Sequence, residues 1–479
     1  MKKLLSPFLL TLIFVAASWS LFHPQIFRVH DYVHAARIAE ITRALSDGHF
    51  PVRWSANFGY GYGMPLFEFY APLPYYIGSL FYWLGLDVVL VIKLLFAGCT
   101  AATLVGAYLL GKKLFGRWGG LVTAAALTLA PYRAVNLFVR GALSEAWGIM
   151  ALPWILLGII KVINQEKFAW QLLVVSLAVM MLSHNLTVMM FVPFSLLFAL
   201  LFYLTKLKLV KNWQQQAIKT GLQLLASYGL AVGLSAFYLL PAFLEKSFTK
   251  VEAAIIGGYF DYTLHFLYLR QFFEPNWQYG GSIWGPVDDI SFFLGWGQLL
   301  AVMGLGGLLI WQLGQLLIKS NTQKNLQVVV KRVWQLSLSS LGYLLLTLGA
   351  LYLTLARARW FWRLLPLLKF VQFPWRFLTV AIVFLALVAG SSVRLVKDKK
   401  LKAYYSLVLL LIIVAGNFYF FRPEKYLADA QSLYYTDASK IQQQMSQILP
   451  DYIPVQMAEQ LNPPDSLILS EVDQKDYQV

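Results

Sequence analysis

Charge is what this sequence lacks. Only 13% of its 479 residues are Asp, Glu, Lys or Arg, about half the share of an ordinary soluble protein, while 59% are hydrophobic and 16% aromatic. A water-soluble globular enzyme is thereby excluded. With ordinary Gly and Pro content, so is a disordered or collagen-like chain. Cysteine is nearly absent: Cys99 stands alone in an apolar run, so no intramolecular disulfide forms and the redox compartment leaves no trace. Internal repeats and low-complexity tracts are also missing. The net charge of +16 would suggest nucleic acid in a soluble protein. In a membrane protein it reflects the excess of Lys and Arg in cytoplasmic loops, and no nucleic-acid partner is expected.

What is present is a series of apolar runs. A helix needs roughly 20 apolar residues to cross a bilayer. Residues 8–21 after Lys2 and Lys3 read as an uncleaved first anchor, although Ala16-Ala17-Ser18 permits cleavage. Further runs cover 88–111, 118–132, 146–163, 168–184, 186–204, 221–243, 291–317, 333–356, 377–393 and 403–421. The fold class is an all-α polytopic bundle of about eleven spans, within a range of about ten to thirteen. Pro74 to Leu86 is apolar but interrupted, and reads as a re-entrant or interfacial helix. Residues 1–421 form one membrane domain with long loops at 23–73 and 244–290. Residues 422–479 are a short polar appendage. The loops assigned to the cytoplasm net +18 and everything else nets −2. That asymmetry puts the N-terminus inside, in a multi-pass protein of the cytoplasmic membrane, with the loops at 23–73 and 244–290 and the tail outside.

The outer side holds all six histidines and 21 of the 23 acids. Its first loop reads His30-Asp31-Tyr32-Val33-His34, and then Ala36, Arg37 and Glu40 recur at helical spacing up to a stop at Asp47-Gly48. Asp31 stands where a helix cap would. His34, with His30 and Asp31, has the donor types of a divalent-metal ligand. Asn57-Phe58-Gly59-Tyr60-Gly61-Tyr62-Gly63 alternates glycine with aromatics. No helix start follows, so it is not a phosphate loop. The aromatics suit an interface belt or a platform for a sugar or isoprenoid. Glu68 in apolar surroundings needs a partner such as Arg53. Arg140 and Glu145 can pair, and Glu145 opens an apolar helix. Ser183-His184-Asn185 marks an outer turn. Residues 357–376 are unusually basic for an outer loop, and an arginine fork there fits a lipid phosphate.

His30-Asp31 through Arg37, Gly48-x-x-Pro51-x-Arg53-Trp54, Gly59-Tyr60-Gly61, Phe67-x-Phe69-Tyr70-x-Pro72-Leu73 and Arg140-Gly141-x-x-x-Glu145 resemble the bacterial membrane proteins labelled 6-pyruvoyl-tetrahydropterin synthase-related. The match covers about the first 200 residues and the remainder by layout. No pterin or zinc site is expected, because that chemistry needs a soluble zinc-histidine fold. The plan is also similar to membrane glycosyltransferases of the GT-C class, which carry one acidic residue just after the first span and a second acidic motif after the third. Asp31 and Glu145 occupy those places. The second motif departs from the Asp-x-Asp/Glu pattern, since position 143 is Leu.

The resemblance implies transfer of a sugar from a polyprenyl-phosphate donor, at the membrane face, to an extracytoplasmic acceptor. Asp31 is the expected base, with Glu145 assisting it or holding a divalent cation (Mg or Mn). Arg376, with Arg53 or Arg140, is expected to grip phosphate, and Glu68, His184 and Tyr70 complete the substrate-binding set. The alternatives are a transporter or flippase of lipid-linked sugars, for which Lys93 is the main intramembrane candidate, and a non-catalytic envelope protein. Membrane lipid is the expected partner, and nothing fixes an oligomeric state.

Overall fold

The computed structural model describes residues 4–206, 213–250, 258–319, 323–445 and 452–455. Among them the chain is helical, with isolated β-bridges and no strand. In order the main helices are α1 (Leu5–Ser18), α2 (His34–Ser46), α3 (Leu73–Trp83), α4 (Val88–Thr128), α5 (Leu143–Ile163), α6 (Ala169–Ser183), α7 (Asn185–Lys206) and α8 (Trp213–Leu244). They continue with α9 (Trp296–Lys319), α10 (Gln323–Thr354), α11 (Leu378–Leu395) and α12 (Lys399–Asn417). Among the described residues, seven helices are long and apolar enough to cross a membrane, and three shorter apolar helices accompany them.

One of the seven, α4, accounts for two of the spans read from the sequence. At Gly116 φ is +80°, a conformation that costs glycine little and other residues much. There the chain doubles back, so that Gly120 lies against the backbone of Tyr108 and Lys112. The re-entrant segment is α3. Its 11 residues extend about 16 Å, too short to cross, and it packs through Gly78 on Ile38 of α2 and Leu95 of α4.

The core lies around α5 and α11, whose most apolar stretches are 89% and 94% buried, against 28% for α8. The outer helices turn Leu225, Leu230, Leu234 and Leu240 outward, as a lipid-facing surface requires. Without a hydrophobic driving force between helices in lipid, close packing depends on small residues. Gly390 of α11 meets the second arm of α4 at Gly119 and Thr123. Arg133, 1% exposed, sits in this core and donates to Thr103 Oγ1 at 2.6 Å and Thr100 Oγ1 at 3.2 Å.

The segments following α1, α8, α10 and α12 gather at one end of the bundle. The Arg28 N–H donates to Lys425 O (3.1 Å), Leu427 N–H to Ile26 O (2.7 Å), and Leu267 N–H to Thr354 O (2.8 Å). Tyr434 Oη donates to Phe27 O at 2.8 Å. Lys250 N–H donates to Ile453 O and Val455 N–H to Phe248 O, both at 2.9 Å. The described part of the tail is thus woven through the loops rather than hung on as an appendage. Between its short helical turns, backbone donors such as those of Leu427 and Val455 bond to the neighbouring loops.

A methyl group on Gly390 would collide with Thr123 Oγ1 and stand 3.0 Å from the Gly119 carbonyl. Gly390→Ala should therefore cost about 1–3 kcal/mol by overpacking, read as a lower thermal midpoint in detergent. Adding Thr123→Ala should recover part of the loss, and simply additive losses would contradict this packing.

Candidate functional site

The site is built on the turn between α4 and α5. A π-helical stretch, Val135–Val139, ends at Arg140, and Gly141 turns the chain with φ +66°. Any side chain at 141 would collide with Val29. The turn folds Arg140 back on Glu145, with Arg140 Nη1 2.6 Å from Glu145 Oε2 and 2.5 Å from Asn136 Oδ1. Glu145 is 1% exposed. Its Oε1 also accepts from Tyr132 Oη at 2.8 Å and Thr379 Oγ1 at 2.8 Å, with Asn136 Nδ2 at 3.4 Å. A buried ion pair offsets its desolvation only when its remaining lone pairs are satisfied in this way.

The first loop docks onto this turn through its backbone. His30 N–H donates to Val139 O at 3.1 Å and Asp31 N–H to Arg140 O at 2.8 Å. Asp31 is not a helix cap: Val33 occupies the cap position and no side chain caps α2. The Asp31 carboxylate is exposed and receives no hydrogen bond among the described residues. Behind it runs a relay in which Arg37 Nη1 donates to Tyr75 Oη (3.0 Å), Tyr75 Oη to His34 Nδ1 (3.0 Å) and His34 Nε2 to Gly141 O (2.6 Å). Burial, with Arg37 adding to it, pushes His34 well below its ordinary pKa. A neutral ring with both nitrogens engaged props the turn and has no lone pair to offer a metal.

A cavity of about 380 Å³ opens over this turn, and Asp31, Tyr70, Arg140, Glu145, His184 and Arg376 all line it. Arg376 is aimed by Nη1, which donates to Val371 O and Gln372 Oε1, both at 2.8 Å. Its Nε lies 4.0 Å from Glu145 Oε2 and has no hydrogen bond. His184 breaks the chain between α6 and α7. Its Nδ1 meets Thr187 Oγ1 at 2.7 Å and the Thr187 N–H at 3.3 Å; accepting from both leaves the proton on Nε2. Burial lowers its pKa, opposed by Glu145 and reinforced by Arg376 and Arg140, so the ring is a neutral donor.

Arg53 and Glu68 fall elsewhere, beside a small crevice against Tyr238 and Pro241. Glu68 shares a hydrogen bond with Glu245 rather than an ion pair with Arg53. Burial and that neighbouring acid raise its pKa. Lys93 donates to His23 O (2.5 Å) and Pro24 O (3.0 Å) and fastens the first loop. Lys246, Asn185, Gln372 and Tyr452 also line the cavity and come from segments whose approach no local pattern announces. Arg37 does too; its guanidinium lies 3.8 Å over the Tyr70 ring and its Nε is buried without a partner. Its signal was legible, since a cation on the apolar face of α2 is costly unless used.

The donor set suits an anion better than a divalent cation. Glu145 is saturated by its donors, the cavity carries Arg37, Arg140, Arg376 and Lys246 against Asp31 and Glu145, and among the described residues no three His, Cys, Asp or Glu side chains group as a metal site.

The multi-span helical bundle is similar in fold to two solved membrane glycosyltransferases of the GT-C type. The arabinofuranosyltransferase AftD from mycobacteria matches with TM-score 0.50 at 15% identity, over 88% of this chain and 27% of that one. The oligosaccharyltransferase of Archaeoglobus fulgidus in its apo form matches with TM-score 0.50 at 14% identity, over 91% and 61%. At these identities the likeness is one of fold. An uncharacterized protein of Lactococcus lactis subsp. cremoris is 30% identical over 213 residues, which is 43% of this chain and 34% of its own length. The chain therefore spans about a third of that relative. Residues 67–423 match the family described as 6-pyruvoyl-tetrahydropterin synthase related domain, membrane protein, and the chain belongs to that family.

Two substitutions separate the two acids. Glu145→Gln strands Arg140 without its counter-charge in the interior and should cost about 3–5 kcal/mol. Asp31→Asn removes no hydrogen bond and should stay within about 0.5 kcal/mol of wild type. Thermal or denaturant midpoints of the purified variants check both, and equal losses would contradict the geometry.

Proposed function

We propose that the protein is a GT-C-type membrane glycosyltransferase that moves a sugar from a polyprenyl-phosphate donor to an extracytoplasmic acceptor, a cell-envelope glycan or lipid. The observation that carries this reading is that the free carboxylate of Asp31 and the guanidinium groups of Arg140 and Arg376 line one cavity. The fold shared with AftD and the archaeal oligosaccharyltransferase supports it, as does the charge asymmetry of the loops, which favours an extracytoplasmic position for this end.

Asp31 is the general base. The acceptor hydroxyl oxygen bonds to the anomeric carbon as the bond from that carbon to the donor phosphate breaks. The hydroxyl proton passes to the Asp31 carboxylate, and the bonding pair leaves with the polyprenyl phosphate. Arg140 and Arg376 meet the charge that develops on the departing phosphate. Glu145 acts through them: it fixes Arg140 and stands beside Arg376, and is a positioning residue. His184 offers Nε2–H to the substrate, and Arg37 over Tyr70 adds a third guanidinium. In this arrangement guanidinium groups take the place a divalent cation would have.

The test is transfer from labelled polyprenyl-phosphate sugars to candidate acceptors by the purified chain. Asp31→Asn should lower the rate by about 10²–10⁴-fold, and an unchanged rate would remove Asp31 as the base. Labelled lipid crossing the bilayer with no transfer from any donor would make the protein a transporter. With the arginines holding the phosphate, transfer should persist in excess EDTA. Loss on chelation, restored by Mg or Mn, would return the cation to the mechanism.

A further inference from the structure

A second cavity, of about 570 Å³, opens between α2 and the loop after it, and shares no lining residue with the first. Its size falls within the roughly 300–1,000 Å³ of small-molecule sites. The floor is rigid. The Glu40 carboxylate accepts from Arg43 Nη1 (2.6 Å), Ser55 Oγ (2.8 Å), Asn57 N–H (2.9 Å) and Asn57 Nδ2 (2.8 Å). Gln442 Nε2 donates to Asn57 Oδ1 at 2.7 Å from the far end of the chain.

The rim is the opposite. Asp47, His49 and Arg53 are exposed and their side chains make no hydrogen bond to the described residues. Between them stands Trp54, 44% exposed. One edge of its indole rests on Gly63, where φ is +77° and any side chain would collide with Nε1. Paired Ser55–Met64 backbone bonds of 2.9 and 3.0 Å hold that contact. Gly63, the last glycine of the alternating stretch, thus sets an indole at a cavity mouth.

Charge separates the two cavities. The first has an excess of cations. In the second, Glu40 is matched by Arg43 and Asp47 by Arg53, so it calls for a neutral ligand. A fixed aromatic face ringed by unpartnered donors and acceptors suits a molecule with an apolar face and hydroxyl edges. We propose that this cavity binds a neutral saccharide, stacked on Trp54 and bonded through its hydroxyls by Asp47, His49 and Arg53. Phe67 N–H donates to Arg53 O at 3.0 Å, two residues before Phe69 of the first cavity, so both sites share one end of the bundle. The bound saccharide is then part of the acceptor glycan. That role rests on the transfer reading above, but the binding does not.

The experiment applies the full-length protein in detergent to an array of neutral and acidic oligosaccharides. Neutral glycans should be retained, about tenfold more weakly by Trp54→Ala, the scale of one aromatic contact, with partial recovery in Trp54→Phe and unaltered thermal midpoints. Binding should persist in Asp31→Asn, where transfer is lost, so failure of the transfer reading leaves this result untouched. Retention of no neutral glycan, indifference to Trp54→Ala, or loss of binding in Asp31→Asn would each overturn the proposal.

Discussion

The ion pair between Arg140 and Glu145 is the contact on which the rest of the site depends. It is buried, so neither partner can be left alone, and the surroundings are arranged to satisfy it. Tyr132 and Asn136 come from the turn before it and Thr379 from the start of α11. Glu145 thereby ties α5 to α11, the two most buried helices. The same turn offers its backbone carbonyls outward, and those of Val139, Arg140 and Gly141 receive His30, Asp31 and His34. A salt bridge inside the bundle therefore decides where a free carboxylate of the first loop stands.

The two acids look alike in sequence and are opposite in structure. Each lies just beyond a span, among residues that could pair with it. Glu145 accepts from four side chains, and Asp31 accepts from none among the described residues. Preorganised charge costs stability where it is unpaired and gives reactivity in return. The two carboxylates divide accordingly: one is consumed in holding the turn and the other stays free at the cavity.

The spans were legible because apolar length is a local property, and α1 and α4 to α12 fall on the runs read from the sequence. α2 and its stop at Asp47 were legible from spacing. Gly116 hid inside α4 yet left the two-span reading intact. The convergence of Asp31 with Arg140 was not derivable locally, since it rests on backbone bonds between distant segments; placing both there came from resemblance. Arg53 and Glu68 line a separate crevice, because proximity in sequence is not proximity in space. Among the cations of 357–376, Arg376 alone lines the cavity, carried there by the buried start of α11, while Arg357 and Arg363 stay exposed. That distinction needs the packing of α11 and is invisible in a count of basic residues.

The strap at 452–455 has a consequence in time. It pairs with residues 248–250 and delivers Tyr452, stacked at 5.9 Å on Phe69, to the wall of the cavity. Chains emerge from the ribosome N-terminus first, so Asp31, Arg140 and Arg376 are all in the membrane before this last piece of wall exists. A chain cut just beyond α12 would keep the described spans and leave the pocket open on one side. The wall of the site is completed only after α12 has been synthesised.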